Sequence, residues 1–218
     1  DYHQLATYEP PVATRIHASN GALLAEHATE KRGFVPVEAM PPQLVHAFLS
    51  AEDKAFYSHF GIDPRALLRA VVTNAMNYGT GRRPIGASTI TQQVTKNFLL
   101  TNEVSIDRKI KEAILAFRME RAFTKDQILA LYLNEIYLGQ GSYGVAAASL
   151  NYFDKSLDQL SLEEMAYLAA LPKAPSNYHP VRRIRAATGR RDWVLREMAQ
   201  NGFITDAERA AAVTVPLT

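Results

Sequence analysis

Helix starts written along the chain constrain this fold more than any other feature. Thr124-x-x-Gln127, Ser161-x-x-Glu164 and Thr205-x-x-Glu208 each set a hydroxyl three residues before a carboxylate or amide. Such a pair can satisfy two orphan backbone N–H groups reciprocally where a helix begins. Around these starts run amphipathic segments at 43–57, 64–77, 88–99, 105–122, 125–137, 144–152, 161–170, 184–200 and 205–212, with apolar residues spaced three and four apart. The expectation is a mainly α-helical chain without internal repeats.

The first 40 residues follow a different rule. VATRIHASNGALLAEH alternates around Asn20-Gly21, a pair that favours a tight hairpin turn, and prolines punctuate both sides. This divides the chain into a short β-hairpin and linker at 1–40 and a helical domain at 41–218. With 218 residues, 47% of them hydrophobic, the domain can bury a sizeable core, alone or with a small second lobe. Twenty-four Lys and Arg against 22 Asp and Glu leave a net charge of +2, too balanced for a nucleic-acid binder. The absence of cysteine removes a disulfide framework, a thiolate nucleophile and a Cys-based zinc site.

No signal peptide is legible at the start of the chain. The longest uncharged run, Ile136 to Phe153, contains three glycines and several polar residues. It falls short of the ~20 apolar residues a spanning helix needs, so any membrane anchor is expected outside this sequence.

Two glycine clusters interrupt the helical pattern. NYGTGRRPIG (77–86) reads as a mobile, positively charged loop, and GQGSYG (139–144) as a turn between helices. Neither is a nucleotide site. Ala87 stands where a phosphate-binding loop needs its lysine, and GQGSYG follows a helical segment rather than the strand that a dinucleotide fingerprint requires.

Candidate chemistry begins with AFLSAEDKAFYSHFGID (47–63). Leu44, Phe48, Glu52 and Phe56 recur every fourth residue, so a helix would place a carboxylate in an apolar row. Desolvation there would raise its pKa towards that of a useful general base; the alternative is a helix that begins late and leaves Glu52 as an exposed cap. In GASTITQQVTKN (86–97), Thr89, Gln93, Lys96 and Asn97 share one side of a helix opposite Ile90 and Val94, a donor-rich face suited to anionic oxygens. In SIDRKIKEAILAFRMER (105–121), Ile106, Ile110, Ala113, Ile114 and Phe117 form the expected buried stripe. Arg108 and Glu112, four apart, read on this segment alone as a surface salt bridge. His59, beside Phe56, Tyr57 and Phe60, reads as a packed support, with no second ligand at metal spacing. The arginines between Arg182 and Arg196 read as a solvated face, with a face turned to a phosphate-rich membrane surface as the alternative.

In chain order, these segments resemble the peptidoglycan glycosyltransferases (family 51), the polymerising domains of class A penicillin-binding proteins and their monofunctional relatives. EDKAFYSHFG (52–61) resembles the first family signature, GASTITQQVTKN the second, RKIKE (108–112) the third, KDQILALYLN (125–134) with GQGSYG the fourth, and LAALPKAP (168–175) the fifth.

The resemblance implies a lysozyme-like, two-lobed helical fold with a smaller membrane-associating lobe. It implies a reaction in which the 4-hydroxyl of lipid II attacks the reducing-end anomeric carbon of a growing chain with inversion, forming a β-1,4 bond and releasing undecaprenyl diphosphate. Matched residue by residue, Glu52 corresponds to the general base and Glu112 to the second essential glutamate. By the same resemblance Asp53, Phe56 and His59 support the first site. Ser88, Thr89, Gln92, Gln93, Lys96, Asn97, Arg108 and Lys109 correspond to the substrate-binding side. No cofactor is required, with Mg²⁺ or Mn²⁺ at the diphosphate as an option; Glu112 would carry a proton, hold a metal ion or position Arg108. The implied partners are lipid II with the growing glycan, the membrane surface and a moenomycin-type inhibitor. The implied location is the extracytoplasmic face of the bacterial inner membrane.

A glycan-cleaving enzyme on a lysozyme-like fold would also use two carboxylates, but it has no use for Lys96, Arg108 and Lys109 beside them. A helical nucleic-acid module is the more distant rival. The chain carries neither S-x-x-K nor K-T-G, so a transpeptidase of that type is expected outside it.

Overall fold

The structure is a computed structural model that describes residues 34–100 and 105–218. The hairpin expected around Asn20-Gly21 lies outside the described residues. Nine α-helices occur among the described residues: α1 Pro42–Glu52, α2 Pro64–Met76, α3 Ile90–Leu99, α4 Ile106–Ala122, α5 Lys125–Glu135, α6 Val145–Phe153, α7 Leu162–Ala170, α8 Ile184–Gln200 and α9 Asp206–Val213. Eight of the nine expected segments end within two residues of these bounds. The first does not: its spacing predicts a helix to 57, and the helix stops at Glu52.

The described residues divide into two compact units, 55–100 with 105–129, and 34–54 with 130–218. In the second unit α1 packs on α7 and α8, α8 also packs on α7 and α9, and α6 packs on α7. Leu44, Phe48, Tyr167, Leu168, Val194, Leu195 and Met198 are fully enclosed there, and each large apolar side chain so buried contributes about 1.5–3 kcal/mol. Asn134 ties the start of this unit to α5: its amide accepts from the Val35 N–H at 2.8 Å and donates to the Val35 carbonyl at 2.8 Å.

The turn after α5 is set by glycines. Gly139, Gly141 and Gly144 all have positive φ, and Gly144 N–H bonds back to the Ile136 carbonyl at 2.7 Å. A Cβ at Gly144 would collide with the Asn134 carbonyl, so the close approach itself demands glycine. An isolated bridge joins Tyr137 and Tyr143 across the turn. Among the described residues no helix is long and apolar enough to cross a membrane.

In the first unit α3 packs on α4, and α4 faces the opposite way from expectation. Ile106, Ile110, Ile114 and Phe117 are exposed, Ile106 by 80%, whereas Arg108, Glu112, Ala116 and Met119 are buried. The apolar stripe is therefore the outer face. Periodicity identifies a face but not its direction, and here the inner row is selected by close approach: Ala116 lies against Gly61, where even a Cβ would stand 2.9 Å from the Ala116 carbonyl carbon. Helix α2 shows the same habit, with Leu67, Leu68, Val71, Val72 and Met76 exposed and Ala70 buried.

The 77–86 segment has no helical structure beyond its first turn. Asn74 pins its far end to α2, accepting from the Ile85 N–H at 2.7 Å and donating to the Ile85 carbonyl at 3.0 Å.

Candidate active site

The candidate residues fall in both units. Glu52 and Asp53 belong to the second. Helix α1 stops because Asp53 adopts φ −163°, ψ 77°, while its N–H still reaches the Leu49 carbonyl at 2.9 Å. Glu52 is thus the last helical residue, half-buried, and Asp53 is buried beside it. Phe56, also fully buried, no longer belongs to the same helical row; the row of four breaks between acid and ring.

The surroundings of Glu52 include Tyr132 of α5. Burial pushes the Tyr132 phenol well above its ordinary pKa, and the Glu52 and Asp53 carboxylates push further in the same direction. Its hydroxyl is buried without a hydrogen-bond partner among the described residues, while its ring packs edge-on against Phe48. Burial lowers the pKa of Arg190 of α8, and the Glu52 carboxylate is the foremost of the charges opposing that shift.

The remaining candidates lie in the first unit. His59 is buried edge-on to Phe56, and its Nδ1 accepts the Gly61 N–H at 3.0 Å, which leaves any ring proton on Nε2. Lys125 Nζ stands 4.4 Å from the centre of the Phe56 ring and 2.7 Å from Glu120. Tyr57 donates to Asp126 at 2.8 Å. The segment after Glu52 is therefore held by aromatic packing and a histidine turn.

Thr89 and Gln92 begin α3 as a reciprocal cap. Thr89 Oγ1 accepts the Gln92 N–H at 3.1 Å, and Gln92 Oε1 accepts the Thr89 N–H at 2.9 Å. The Thr89 hydroxyl also donates to the Gly61 carbonyl at 2.6 Å. The family resemblance puts both side chains on the substrate-binding side, and in the structure they play an architectural part, fixing the entry of α3 against the segment that carries His59. Gln93 and Lys96 are half-buried on the following turns and Asn97 is exposed.

Helices α3 and α4 bring the second and third motifs together. Lys109 Nζ reaches Ser88 Oγ at 2.9 Å and Glu112 Oε1 at 3.0 Å, so three of the candidate residues form one chain of contacts. Glu112 is only 1% exposed, and its Oε2 is buried without a hydrogen-bond partner among the described residues. Arg108 is buried as well, and its Nε lacks a partner among the described residues. The surface salt bridge expected between Arg108 and Glu112 is corrected on two counts. Both side chains are buried, and the cation on Glu112 is Lys109. Arg108 points along the same buried row because 108, 112, 116 and 119 share a face.

The arginines of α8 are expected on a solvated face, and two of them are not there. Arg191 is wholly buried and bonds the Val215 carbonyl at 2.7 Å, the Val213 carbonyl at 3.4 Å and Asp192. Arg190 is half-buried, with its guanidinium carbon 3.9 Å from the centre of the Trp193 ring and its Nε without a hydrogen-bond partner among the described residues. The available signal was their spacing before Trp193, Val194 and Leu195, which puts Arg191 on the row of the buried Val194, Leu195 and Met198. LAALPKAP, by contrast, closes α7 with Leu168 to Leu171 buried.

The sequence model of the transglycosylase family matches residues 20–199. A penicillin-binding protein 1A of Rickettsia felis is 52% identical over 217 residues, covering 100% of this chain and 28% of that protein. Penicillin-binding protein 1A of Escherichia coli K12 is 45% identical over 197 residues, 90% of this chain and 23% of the relative. The crystal structure of penicillin-binding protein 1A from Haemophilus influenzae superposes with a TM-score of 0.50 at 28% identity, covering 86% of this chain and 18% of that one. The chain thus spans less than a third of the length of the curated relatives it matches.

Proposed function

The chain belongs to the transglycosylase family, the peptidoglycan glycosyltransferases, and on that premise we propose that it polymerises lipid II into β-1,4-linked glycan. Glu52 takes the proton from the 4-hydroxyl of the acceptor sugar. That oxygen bonds to the anomeric carbon of the growing chain from the face opposite the leaving group, and the bond from that carbon to the lipid diphosphate breaks with its electron pair. Negative charge accumulates on the departing diphosphate, and cations already in place stabilise it without reorganising.

The observation that carries this reading is the buried row of α4. Arg108 keeps a buried guanidinium nitrogen, Nε, that has no hydrogen-bond partner among the described residues, next in sequence to a Lys109 held by Ser88 and Glu112. A buried N–H without a partner is costly, and a phosphate oxygen is the acceptor that a guanidinium fork fits best. On this reading Glu112 positions Lys109. One carboxylate beside two cations is a poor donor set for a protein-held divalent ion, so we assign no step to Mg²⁺ or Mn²⁺. A moenomycin-type phosphoglycolipid would compete for the same cations.

The exposed apolar faces of α2 and α4 support a working position at a lipid surface. Leu67, Leu68, Val71, Val72 and Met76 on one helix, and Ile106, Ile110, Ile114 and Phe117 on the other, are more apolar surface than a solvated unit ordinarily leaves open. We place the chain at the extracytoplasmic face of the inner membrane, within a longer protein that supplies the anchor and the transpeptidase. Incubating the protein with lipid II in detergent tests the function: lysozyme-digestible polymer supports it, while breakdown of preformed glycan without polymer returns the site to the cleaving enzyme.

A further inference from the structure

We propose that the unit formed by residues 55–100 and 105–129 docks on anionic lipid, its exposed apolar rows entering the acyl boundary and the cations along them engaging the headgroup phosphates. This deepens the lipid-surface position proposed above and rests on it.

The two units differ in charge. Residues 55–100 and 105–129 carry eleven Lys and Arg against five Asp and Glu, a net +6, whereas residues 34–54 and 130–218 carry ten against twelve, a net −2. The nearly balanced chain therefore conceals one basic unit. Eight of its cations are exposed, against two exposed acids, Asp107 and Asp126, and Asp126 accepts a hydrogen bond from Tyr57. Lys109 is committed to Ser88 and Glu112. The other seven exposed cations include neither Lys96 nor Arg108, so they are separate from the groups assigned to the diphosphate.

These seven border the exposed apolar rows. On α2, Arg65 and Arg69 are linked to Leu68, Val72 and Met76 by steps of three and four, which puts them on one side of the helix. On α4, Arg121 continues the row of Ile110, Ile114 and Phe117, and Lys111 and Arg118 lie beside it. Tyr78, 91% exposed, follows α2 and precedes Arg82 and Arg83. Among the described residues none of the seven pairs with an acid. An apolar helix face edged by cations suits a lipid–water boundary, where long basic side chains bury their stems and return their charge to the headgroups; a tyrosine suits the same level. The apolar rows by themselves accept any lipid. The excess of positive charge selects the anionic kind. The exposed Arg182, Arg183 and Arg185 lack this setting, because they belong to the unit of net −2.

The test is sedimentation of the protein with vesicles of phosphatidylcholine and with vesicles of equal parts phosphatidylcholine and phosphatidylglycerol, none containing lipid II, at low and high salt. Partition should favour the anionic vesicles by about tenfold or more, since each basic residue near such a surface is worth about fivefold, and salt should erase the preference. Arg82→Gln with Arg83→Gln, and separately Lys111→Gln with Arg118→Gln, should each lose about tenfold on anionic vesicles and little on neutral ones. All four side chains are exposed, so the thermal midpoints should hold. Phe117→Ser should weaken binding to both kinds of vesicle. Arg182→Gln with Arg183→Gln should change neither; a loss there as large as in the other pairs would move the surface to α8 and overturn the assignment. Equal binding to neutral and anionic vesicles would overturn the headgroup preference alone and leave the lipid-surface position standing. Absence of binding to every vesicle would overturn both.

Discussion

Lys109 Nζ lies 3.0 Å from Oε1 of Glu112, a lysine half in solvent holding a carboxylate that is almost entirely inside. Such a pair is asymmetric. Removing the lysine leaves a buried charge uncompensated, whereas removing the acid frees a side chain that can hydrate. Lys109→Met should therefore cost about 1–3 kcal/mol of stability, and adding Glu112→Gln should recover much of that loss. Urea titrations of the single and double variants measure both. A double variant no more stable than Lys109→Met would mean that Lys109 does not neutralise Glu112.

Arg108 decides between a phosphate grip and a merely structural α4 row. If its buried guanidinium grips phosphate oxygens, Arg108→Gln should cost about 2–5 kcal/mol in transition-state stabilisation. Arg108→Lys should rescue this only in part, because a lysine keeps the charge and loses the fork. Lys96→Met should reduce donor binding and turnover together. Initial polymerisation rates decide. Near-normal rates for Arg108→Gln and Lys96→Met would remove the diphosphate from this row.

His46 gives the fold a pH dependence unrelated to the chemistry. Its ring stacks on Phe203 at 4.0 Å, and burial holds it below the ordinary 6.5. As pH falls, the unfolded chain takes the proton first, so the stability this ring contributes is present above pH 6.5 and is lost as pH drops through the lowered value. The thermal midpoint should fall between about pH 7 and pH 5, and it should fall less in His46→Phe. Equal slopes would exclude His46 as the source.

Much of the fold was legible in the sequence, for reasons that differ by residue. The caps at Thr124, Ser161 and Thr205 are local, with both partners within four residues, and all three occur in the structure. Thr89 and Gln92 obey the same local rule, but their place in a donor-rich motif drew attention from it. The direction of α4 was not legible, because a helix with an apolar row and a polar row offers two candidates for the interior. The choice was made by tertiary contacts, Ala116 against Gly61 and Lys109 between Ser88 and Glu112. The end of α1 was hidden for a related reason: Phe56 keeps the helical spacing and is fully buried, yet the chain has already turned at Asp53. The burial of Arg191 was not legible because its acceptors, the Val215 and Val213 carbonyls, lie 24 and 22 residues further along the chain.

The proposed reaction depends above all on Glu52 at the end of α1. The measurement is the initial rate of lipid II polymerisation by Glu52→Gln, with circular dichroism to verify the fold. The amide preserves the shape of the side chain and cannot accept the acceptor's proton, so the rate should fall by about 10²–10⁴-fold with the helical spectrum unchanged. A folded Glu52→Gln variant that retains more than about a tenth of the wild-type rate would contradict the assignment of Glu52 as the base.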